Sequence, residues 1–327
     1  MPISTKVSRA CSPTNRGPQP KSFLLRLTVA VAAVLMLLTP TACRQKGLVC
    51  PAGESHVVEV VFDWEAAPNA DPEGMTVWFF PITAGGRIWR FDIAGRSGGR
   101  VELPSGRYGM IAVNSDLRGA TVADLTSYLD AKATARPAGS NPASAMSTGM
   151  LFGGKVADLT VDYGGDDGVS TVVCRPDSMA VIYTIDIRNV EGLERMRSAS
   201  ARLGGMARSV TLATGATSSD TCYTVSPLAN PTASALSATT SGFGTPASGC
   251  NFNLTVEATL TDGKRYARQF DVSDQVRNSR YPRNVYIYID SITLPATGTP
   301  GGGDDDVGLD VGVDGWQQIE IDITTGI

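Results

Sequence analysis

Apolar and polar residues alternate with a period of two along most of the chain that follows residue 57. Between Val181 and Ile187, for example, apolar side chains occupy every second position and mostly polar ones lie between them. Similar runs cover residues 58–64, 252–260, 285–289 and 319–323. Successive side chains of a strand point to opposite faces, so this pattern is typical of antiparallel sheets with one buried and one solvated face.

Turn-forming residues, such as Asp71–Gly74 and Gly98–Gly99, separate these runs. Short strands at a spacing of about 8–12 residues are typical of a sandwich or barrel. The chain has 327 residues, and at roughly 100–200 residues per domain this length suggests about two domains. We predict an all-β protein with an N-terminal domain over 57–165, a linker at 164–168 and a C-terminal domain over 169–327.

Two segments depart from the alternation. Val122, Leu125 and Leu129 have helical spacing, which predicts a short helix or an ordered crossover between Ala120 and Ala135. Residues 136–148 are rich in Pro, Ser, Gly and Ala, and this composition predicts a mobile loop.

The N-terminus carries an export signal. An apolar run from Leu27 to Leu38 follows a basic stretch and has the length of a signal-peptide h-region, too short to span about 30 Å of hydrocarbon. A buried core helix is the alternative interpretation. Small residues then lead to Cys43, as in a lipobox, although Pro40 departs from the usual residue there. We predict a lipoprotein signal peptide over 1–42, lipidation of Cys43 and a tether over 43–56.

Charge supports this division of the chain. The whole chain carries 28 basic and 32 acidic residues, and five of the basic residues but no acid precede Cys43. The mature protein is therefore acidic. It has no basic run, so a nucleic-acid partner is not expected. The protein is expected in the cell envelope, held by acyl chains in the membrane.

Four cysteines, Cys50, Cys174, Cys222 and Cys250, remain after the signal and the lipidated Cys43 are set aside. Four cysteines allow three pairings. Cys222 and Cys250 flank one Ser/Thr/Ala-rich stretch, so a disulfide between them is one expectation, and buried free thiols are the other.

Residues for catalysis are scarce. His56 is the only histidine, and we interpret it as a surface residue beside the tether. Glu191 and Glu194 have helical spacing, which a solvated helix face explains. No nucleophile elbow, phosphate-binding loop or dinucleotide motif occurs in the sequence. We expect neither an enzyme nor a bound cofactor.

Two further clusters allow a ligand. Asp304, Asp306 and Asp310 follow a glycine run and offer oxygen ligands for calcium, although their spacing fits no standard calcium loop and a solvated linker is the alternative. Several aromatic residues of the first half could stack on sugar rings or, alternatively, fill the core. They are Trp64, Trp78, Phe80, Trp89 and Tyr108.

Several blocks of the sequence resemble a family of Bacteroidales lipoproteins of unknown function, related to the FimB-type and Mfa-like fimbrillin-accessory proteins. The blocks are Phe62–Trp64, Asp71–Pro81, Phe91–Arg96, Leu103–Tyr108, Ile187–Val190 with Ala199–Met206, and Val311–Trp316 with Ile319–Ile323. The resemblance implies two tandem transthyretin-like antiparallel β-sandwich domains. It supplies no catalytic residues.

The resemblance also implies a function. Proteins of this group are expected to anchor or terminate fimbriae in the outer membrane and to bind fimbrillin-like pilin subunits by strand addition. The segment Gln317–Ile327 is either a donated strand or a resident last strand. No acidic cluster follows Cys43, so the sequence leaves open whether the protein lies on the inner side of the outer membrane or on the cell surface. A glycan-binding module and a structural envelope lipoprotein are the alternatives.

Overall fold

The computed structural model describes residues 55–162 and 169–296, and most of this backbone lies in β-strands. The two helical elements in these ranges are short: a 3-10 turn, Leu193–Arg195, and helix α1, Ser273–Arg277. The prediction of an all-β protein is confirmed. No helix within the described ranges is long and apolar enough to cross a bilayer.

The first sandwich packs a three-stranded sheet against a five-stranded one. Across the smaller sheet the strands are β10 (Val169–Cys174), β1 (Ser55–Phe62) and β4 (Gly98–Pro104). Across the larger sheet they are β11 (Asp177–Ser178), β9 (Phe152–Val161), β5 (Gly106–Asn114), β2 (Gly74–Pro81) and β3 (Trp89–Ala94).

These two sheets enclose one apolar core. Val58 and Val60 of β1 are fully buried and belong to the same cluster as Met75 and Phe79 of β2. Cys174, at the end of β10, lies in this cluster as well and is fully buried. The alternation predicted for β1 thus selects which of its side chains form the core.

The second sandwich has a four-stranded and a five-stranded sheet. The strands of the first are β17 (Ala229–Thr232), β18 (Ala235–Gly242), β12 (Val181–Ile187) and β21 (Asn284–Ile289). Those of the second are β20 (Arg265–Asp271), β19 (Asn253–Leu260), β14 (Met196–Ala207), β16 (Thr221–Pro227) and β8 (Ser144–Ala145). The buried positions of β12, such as Tyr183 and Ile185, share a core with Leu203 and Leu254.

The central strands β2 and β5 of the larger sheet in the first sandwich are buried on both faces. Along β2, Met75 and Phe79 pack into the first core, whereas Trp78 and Phe80 point the other way and join the core of the second sandwich. By their contacts the described residues of both sandwiches belong to one unit.

The segment between β5 and β9 crosses to the second sandwich. Strands β6 (Ala120–Ala123) and β7 (Lys132–Ala135) form a sheet with β15 (Ser209–Thr211). The prediction of an ordered crossover is therefore confirmed. The alternative prediction of a short helix is wrong, because Ala133 and Ala135 pair as strand residues. The loop predicted over 136–148 contains β8, which pairs with β16. The remaining strands, β13 (Val190–Glu191) and β22 (Ile292–Thr293), pair with each other.

The first sandwich includes a strand from beyond the predicted linker. Strand β10 begins at Val169 and pairs in parallel with β1, so the N-terminal sandwich extends past the linker predicted at 164–168. Residues 163–168 themselves lie outside the described ranges. The division of the mature chain into two domains stays a prediction.

Gly98 is the tightest point of the ladder between β1 and β4, where it lies opposite Val61. Its φ is +118°, and a Cβ added here would lie 2.0 Å from the Val60 carbonyl oxygen. Positive φ at a residue with a side chain costs on the order of 1–3 kcal/mol, and the clash adds to it. We expect Gly98→Ala to lower the free energy of unfolding by about 2 kcal/mol or more in urea denaturation.

Gly85→Ala is the matched control for Gly98→Ala. Gly85 has φ +82°, and nothing lies within 4 Å of the position that a Cβ would occupy there, so this substitution adds backbone strain without a clash. Equal losses for the two variants would contradict the role given to the contact with Val60.

Candidate functional site

The edges of the sheets are where this fold can bind an extended segment of another protein. An edge strand presents unpaired N–H and C=O groups, and native proteins usually protect such edges with charges, proline or short strands. Pro231 lies in β17, Arg90 and Asp92 form an ion pair on β3, and Arg100 of β4 pairs with Glu59. Strand β20 also carries charged residues.

The edge of β21 is closed by a side chain from helix α1. Gln275 donates from Nε2 to the Tyr288 carbonyl oxygen at 3.0 Å and accepts from the Tyr288 N–H at Oε1 at 2.7 Å. The amide of Gln275 thus takes the place of a neighbouring strand at this residue. An added strand would first have to displace it.

Strand β10 has neither charge nor proline on its edge, which its six residues, Val169–Cys174, form. The Cys174 carbonyl oxygen accepts from the Asp63 N–H at 2.8 Å, which directs the main chain of Cys174 towards β1. Because main-chain groups alternate along a strand, those of Thr171 and Val173 point away from β1. We call this side, formed by Thr171 and Val173, the acceptor edge.

The inner face beside the acceptor edge is apolar, whereas the outer face has exposed apolar residues next to polar Thr171 and its neighbour Glu59. Val172 and Cys174 are buried in the core, whereas Val173 and its neighbour Val61 are 52% and 36% exposed on the outer face. An ion pair closes the end of the strand: Arg175 donates to Asp63 at 2.8 Å and lowers the pKa of that carboxyl. This is a short, uncharged edge with an apolar surface beside it.

Several residues predicted to form sites lie outside the described ranges. They are Cys43, the calcium candidates Asp304, Asp306 and Asp310, and the terminal segment Gln317–Ile327. Among the residues that the structure does describe, no three His, Cys, Asp or Glu side chains converge as metal ligands would.

The predicted disulfide between Cys222 and Cys250 is not formed. Both are free thiols, as is Cys174. Cys222 faces the core from β16, and its Sγ donates to the Ala207 carbonyl oxygen at 3.7 Å, whereas Cys250 lies half-buried in the loop before β19. The alternation of β16, rather than proximity in sequence, decides where Cys222 points.

His56 is not a surface residue, contrary to our interpretation of the sequence. It is 7% exposed because it shares the inward-facing parity of Val58 and Val60 on β1. Its Nε2 lies 2.7 Å from the Ser105 hydroxyl, which ties the turn between β4 and β5 to β1.

Glu191 and Glu194 do not share a helix face. Glu191 lies in β13 and accepts a hydrogen bond from the Thr293 hydroxyl. Glu194 lies in the 3-10 turn and pairs with Arg195. The two carboxyl groups therefore have separate structural partners.

The aromatic residues proposed for sugar stacking are mostly core residues. Trp64, Trp78, Phe80 and Tyr108 are each at most 8% exposed. Trp89 is half-buried, with the Arg87 guanidinium 4.6 Å from its ring centroid. The sugar-binding interpretation is wrong for the four buried residues, which fill the core as the alternative interpretation has it.

The exposed aromatic residues lie elsewhere. Within the described ranges they are Tyr281, Tyr286 and Tyr288, which are 56%, 65% and 46% exposed. Sequence reasoning missed both this group and the acceptor edge. The exposed tyrosines could have been found from the sequence, because Tyr286 and Tyr288 occupy the positions of β21 that alternate with buried Val285 and Ile287.

Several solved structures of Bacteroidales proteins have a similar fold. A candidate adhesin from Bacteroides ovatus aligns with a TM-score of 0.63 and 17% identity, over 76% of this chain and 95% of its own. A candidate polysaccharide-binding protein from Bacteroides thetaiotaomicron gives 0.52 and 11%, over 72% and 90%. The fimbrial anchor protein Mfa2 from Porphyromonas gingivalis gives 0.51 and 13%, over 72% and 91%.

Among curated proteins, no relative matches this sequence. The family resemblance seen in the sequence is confirmed, because a family match accompanies the fold shared with Mfa2. The match covers residues 42–226, more than half of the chain, and the chain belongs to this family, the domain of unknown function DUF5119.

Proposed function

We propose that this protein is a lipid-anchored fimbrial accessory protein of the outer membrane, which holds a fimbrial subunit by β-strand addition at the acceptor edge. The observation that carries the proposal is the outward main chain of Thr171 and Val173 on β10, beside which the described ranges place no further strand. The fold shared with the fimbrial anchor Mfa2 supports it. No catalytic activity is proposed.

Strand addition suits the geometry of the smaller sheet. That sheet has three strands and faces one of five, so a fourth strand beside β10 would extend it. Thr171 and Val173 together offer two N–H and two C=O groups, and each net hydrogen bond contributes about 0.5–1.5 kcal/mol. Exposed Val61 and Val173 add apolar area that a donated strand would partly cover.

The position of β10 links this edge to the predicted lipid anchor. Strand β1 begins at Ser55, just after the predicted tether over 43–56, and pairs with β10 along six residues, from Val57 with Val169 to Phe62 with Cys174. A load on the donated strand would pass through this one ladder to the tether. Such a path suits a protein that joins a filament to a membrane.

Val173→Pro tests the acceptor edge. Proline removes the outward N–H of Val173 and places its ring where a donated strand would pair, while an edge position tolerates it. We expect capture of fimbrial subunits from native envelopes, measured by cross-linked pull-down and mass spectrometry, to fall about tenfold or more. Thermal unfolding of the purified variant should stay close to that of the wild type.

Val173→Thr is the matched control, because it keeps the shape of the side chain and the main-chain N–H. This variant should capture subunits nearly as well as the wild type. Undiminished capture by the folded Val173→Pro variant, or recovery of no fimbrial subunit by the wild type, would exclude the proposal.

A further inference from the structure

The exposed face of β21 and its neighbours has a composition unlike the rest of the described surface. In one row across the sheet, Tyr286 of β21 lies beside Thr184 of β12, which lies beside Thr239 of β18. The next row contains Tyr288, Asp186 and Ser237 in the same order. We call these six residues the tyrosine face.

Both tyrosine rings stand on one side of the sheet. Tyr286 and Tyr288 are two positions apart on one strand, which places their Cα atoms about 6.6 Å apart. Between them the chain buries Ile287 completely, which fixes both rings towards solvent. With Tyr281, these two tyrosines are all the exposed aromatic side chains in the described ranges, and the three lie within residues 281–288.

Polar groups flank the rings closely. The Arg188 guanidinium lies 5.9 Å from the Tyr288 ring centroid and pairs with Asp186 at 2.8 Å. The Tyr288 hydroxyl donates to Asp290 at 3.1 Å. Asp290 and Arg188 therefore fix the position of the Tyr288 ring at one end of the face. Both charged groups still have free hydrogen-bonding capacity.

This chemistry fits a carbohydrate better than a protein. Protein interfaces are enriched in tyrosine and arginine but depleted of aspartate and serine, whereas here each ring is followed across the sheet by a hydroxyl or a carboxylate, including Asp186 and Ser237. A pyranose has one face of polarised C–H groups, which the negative face of an aromatic ring attracts, and a rim of hydroxyls. Carboxylate and guanidinium groups such as those of Asp186 and Arg188 form strong hydrogen bonds to such hydroxyls.

We propose that the tyrosine face binds a glycan, with Tyr286 and Tyr288 stacking on neighbouring sugar rings and Asp186 and Arg188 bonding to their hydroxyls. This site lies on the second sandwich, apart from β10 of the first. The two activities therefore do not depend on each other, and the glycan site stands even where strand addition fails.

The test uses the purified full chain in detergent on an array of host mucin glycans and plant polysaccharides. We expect the wild type to bind at least one printed glycan. The double variant Tyr286→Ala/Tyr288→Ala should bind that glycan about tenfold or more weakly, the result of losing two stacking contacts. Tyr286→Phe/Tyr288→Phe keeps the rings and should retain most of the binding.

Tyr223→Ala is the matched control. Tyr223 is a half-buried tyrosine of β16 in the other sheet, with Arg202 5.4 Å from its ring centroid, and its loss should leave glycan binding unchanged. Binding to no glycan on the array would overturn the inference, as would equal binding by the double alanine variant. If the wild type binds no glycan and the double alanine variant loses fimbrial subunit capture, the tyrosine face is a protein interface instead.

Discussion

Cys43→Ala is expected to release the protein from the membrane fraction of the envelope. Multiple acyl chains on one cysteine give stable anchoring, whereas a single myristoyl chain provides an association constant of only about 10⁴ M⁻¹. The variant keeps the apolar run Leu27–Leu38, so it should still be exported. Fractionation of envelopes followed by immunoblotting measures the change, and mass spectrometry of the wild type should find an acylated N-terminal Cys43.

Cys11→Ala is the control for this experiment, because Cys11 lies in the segment that is expected to be removed. Its fractionation should match that of the wild type. Retention of the Cys43→Ala variant in the membrane would contradict lipidation at this cysteine, and the tether would then lose its anchoring role.

Release should also separate the two proposed activities. Detached protein would still capture subunits through Thr171 and Val173, since these lie on a folded strand, but captured subunits would no longer sediment with membranes. The glycan face at Tyr286 and Tyr288 should be unaffected. These outcomes distinguish an anchor from a protein that merely resides in the envelope.

The strands with one wet face were predictable from the sequence alone. Alternation over Val181–Ile187, Asn253–Leu260 and Asn284–Ile289 corresponds to β12, β19 and β21. In β12 and β21 every buried residue is apolar, and in β19 the polar Thr255 is buried as well. The pattern is informative because a strand with one solvated face keeps its polar residues mostly on that face.

For strand β2, the alternation does not predict which side chains are buried. Trp78 and Phe80 occupy the alternate positions to Met75 and Phe79, yet all four are buried. Two-sided burial requires the second sandwich to cover the outer face, and local periodicity contains no information on that contact. The proposed sugar site on Trp78 and Phe80 was wrong for this reason.

The candidate site depends on long-range pairing in the same way. Gln275 closes β21 only because α1 is placed beside Tyr288, and β10 becomes an edge only because it pairs with β1, more than a hundred residues earlier. The absence of charge in Val169–Cys174 is visible in the sequence. The position of this strand at the edge of a sheet is not visible in the sequence.

Alkaline pH is expected to unfold the first sandwich through Cys174, the residue that ends β10. Burial raises the pKa of its thiol from 9.0 to about 12. Below pH 9 the thiol is protonated in both the folded and the unfolded chain, so it contributes no pH dependence. Above this value the unfolded chain loses the proton and the folded chain keeps it, so stability falls as pH rises.

The expected loss is large for a single side chain. Each pH unit between the two pKa values costs about 1.4 kcal/mol, so the free energy of unfolding should fall by about 4 kcal/mol from pH 9 to pH 12. Burial also raises the pKa of Tyr183 and of Cys222 in the second sandwich, and both act in the same direction. Urea denaturation under reducing conditions, at a series of pH values above 8, measures the slope.

Cys174→Ala isolates the contribution of this thiol. The variant loses some packing against Gly154, where the Cys174 Sγ fills the space that a Cβ would occupy, so it should be less stable at neutral pH. Its stability should nevertheless depend less steeply on pH above 9. An unchanged slope in Cys174→Ala would show that the thiol ionises without opening the core. The acceptor edge would then withstand alkaline pH, because its strand would stay packed on β1.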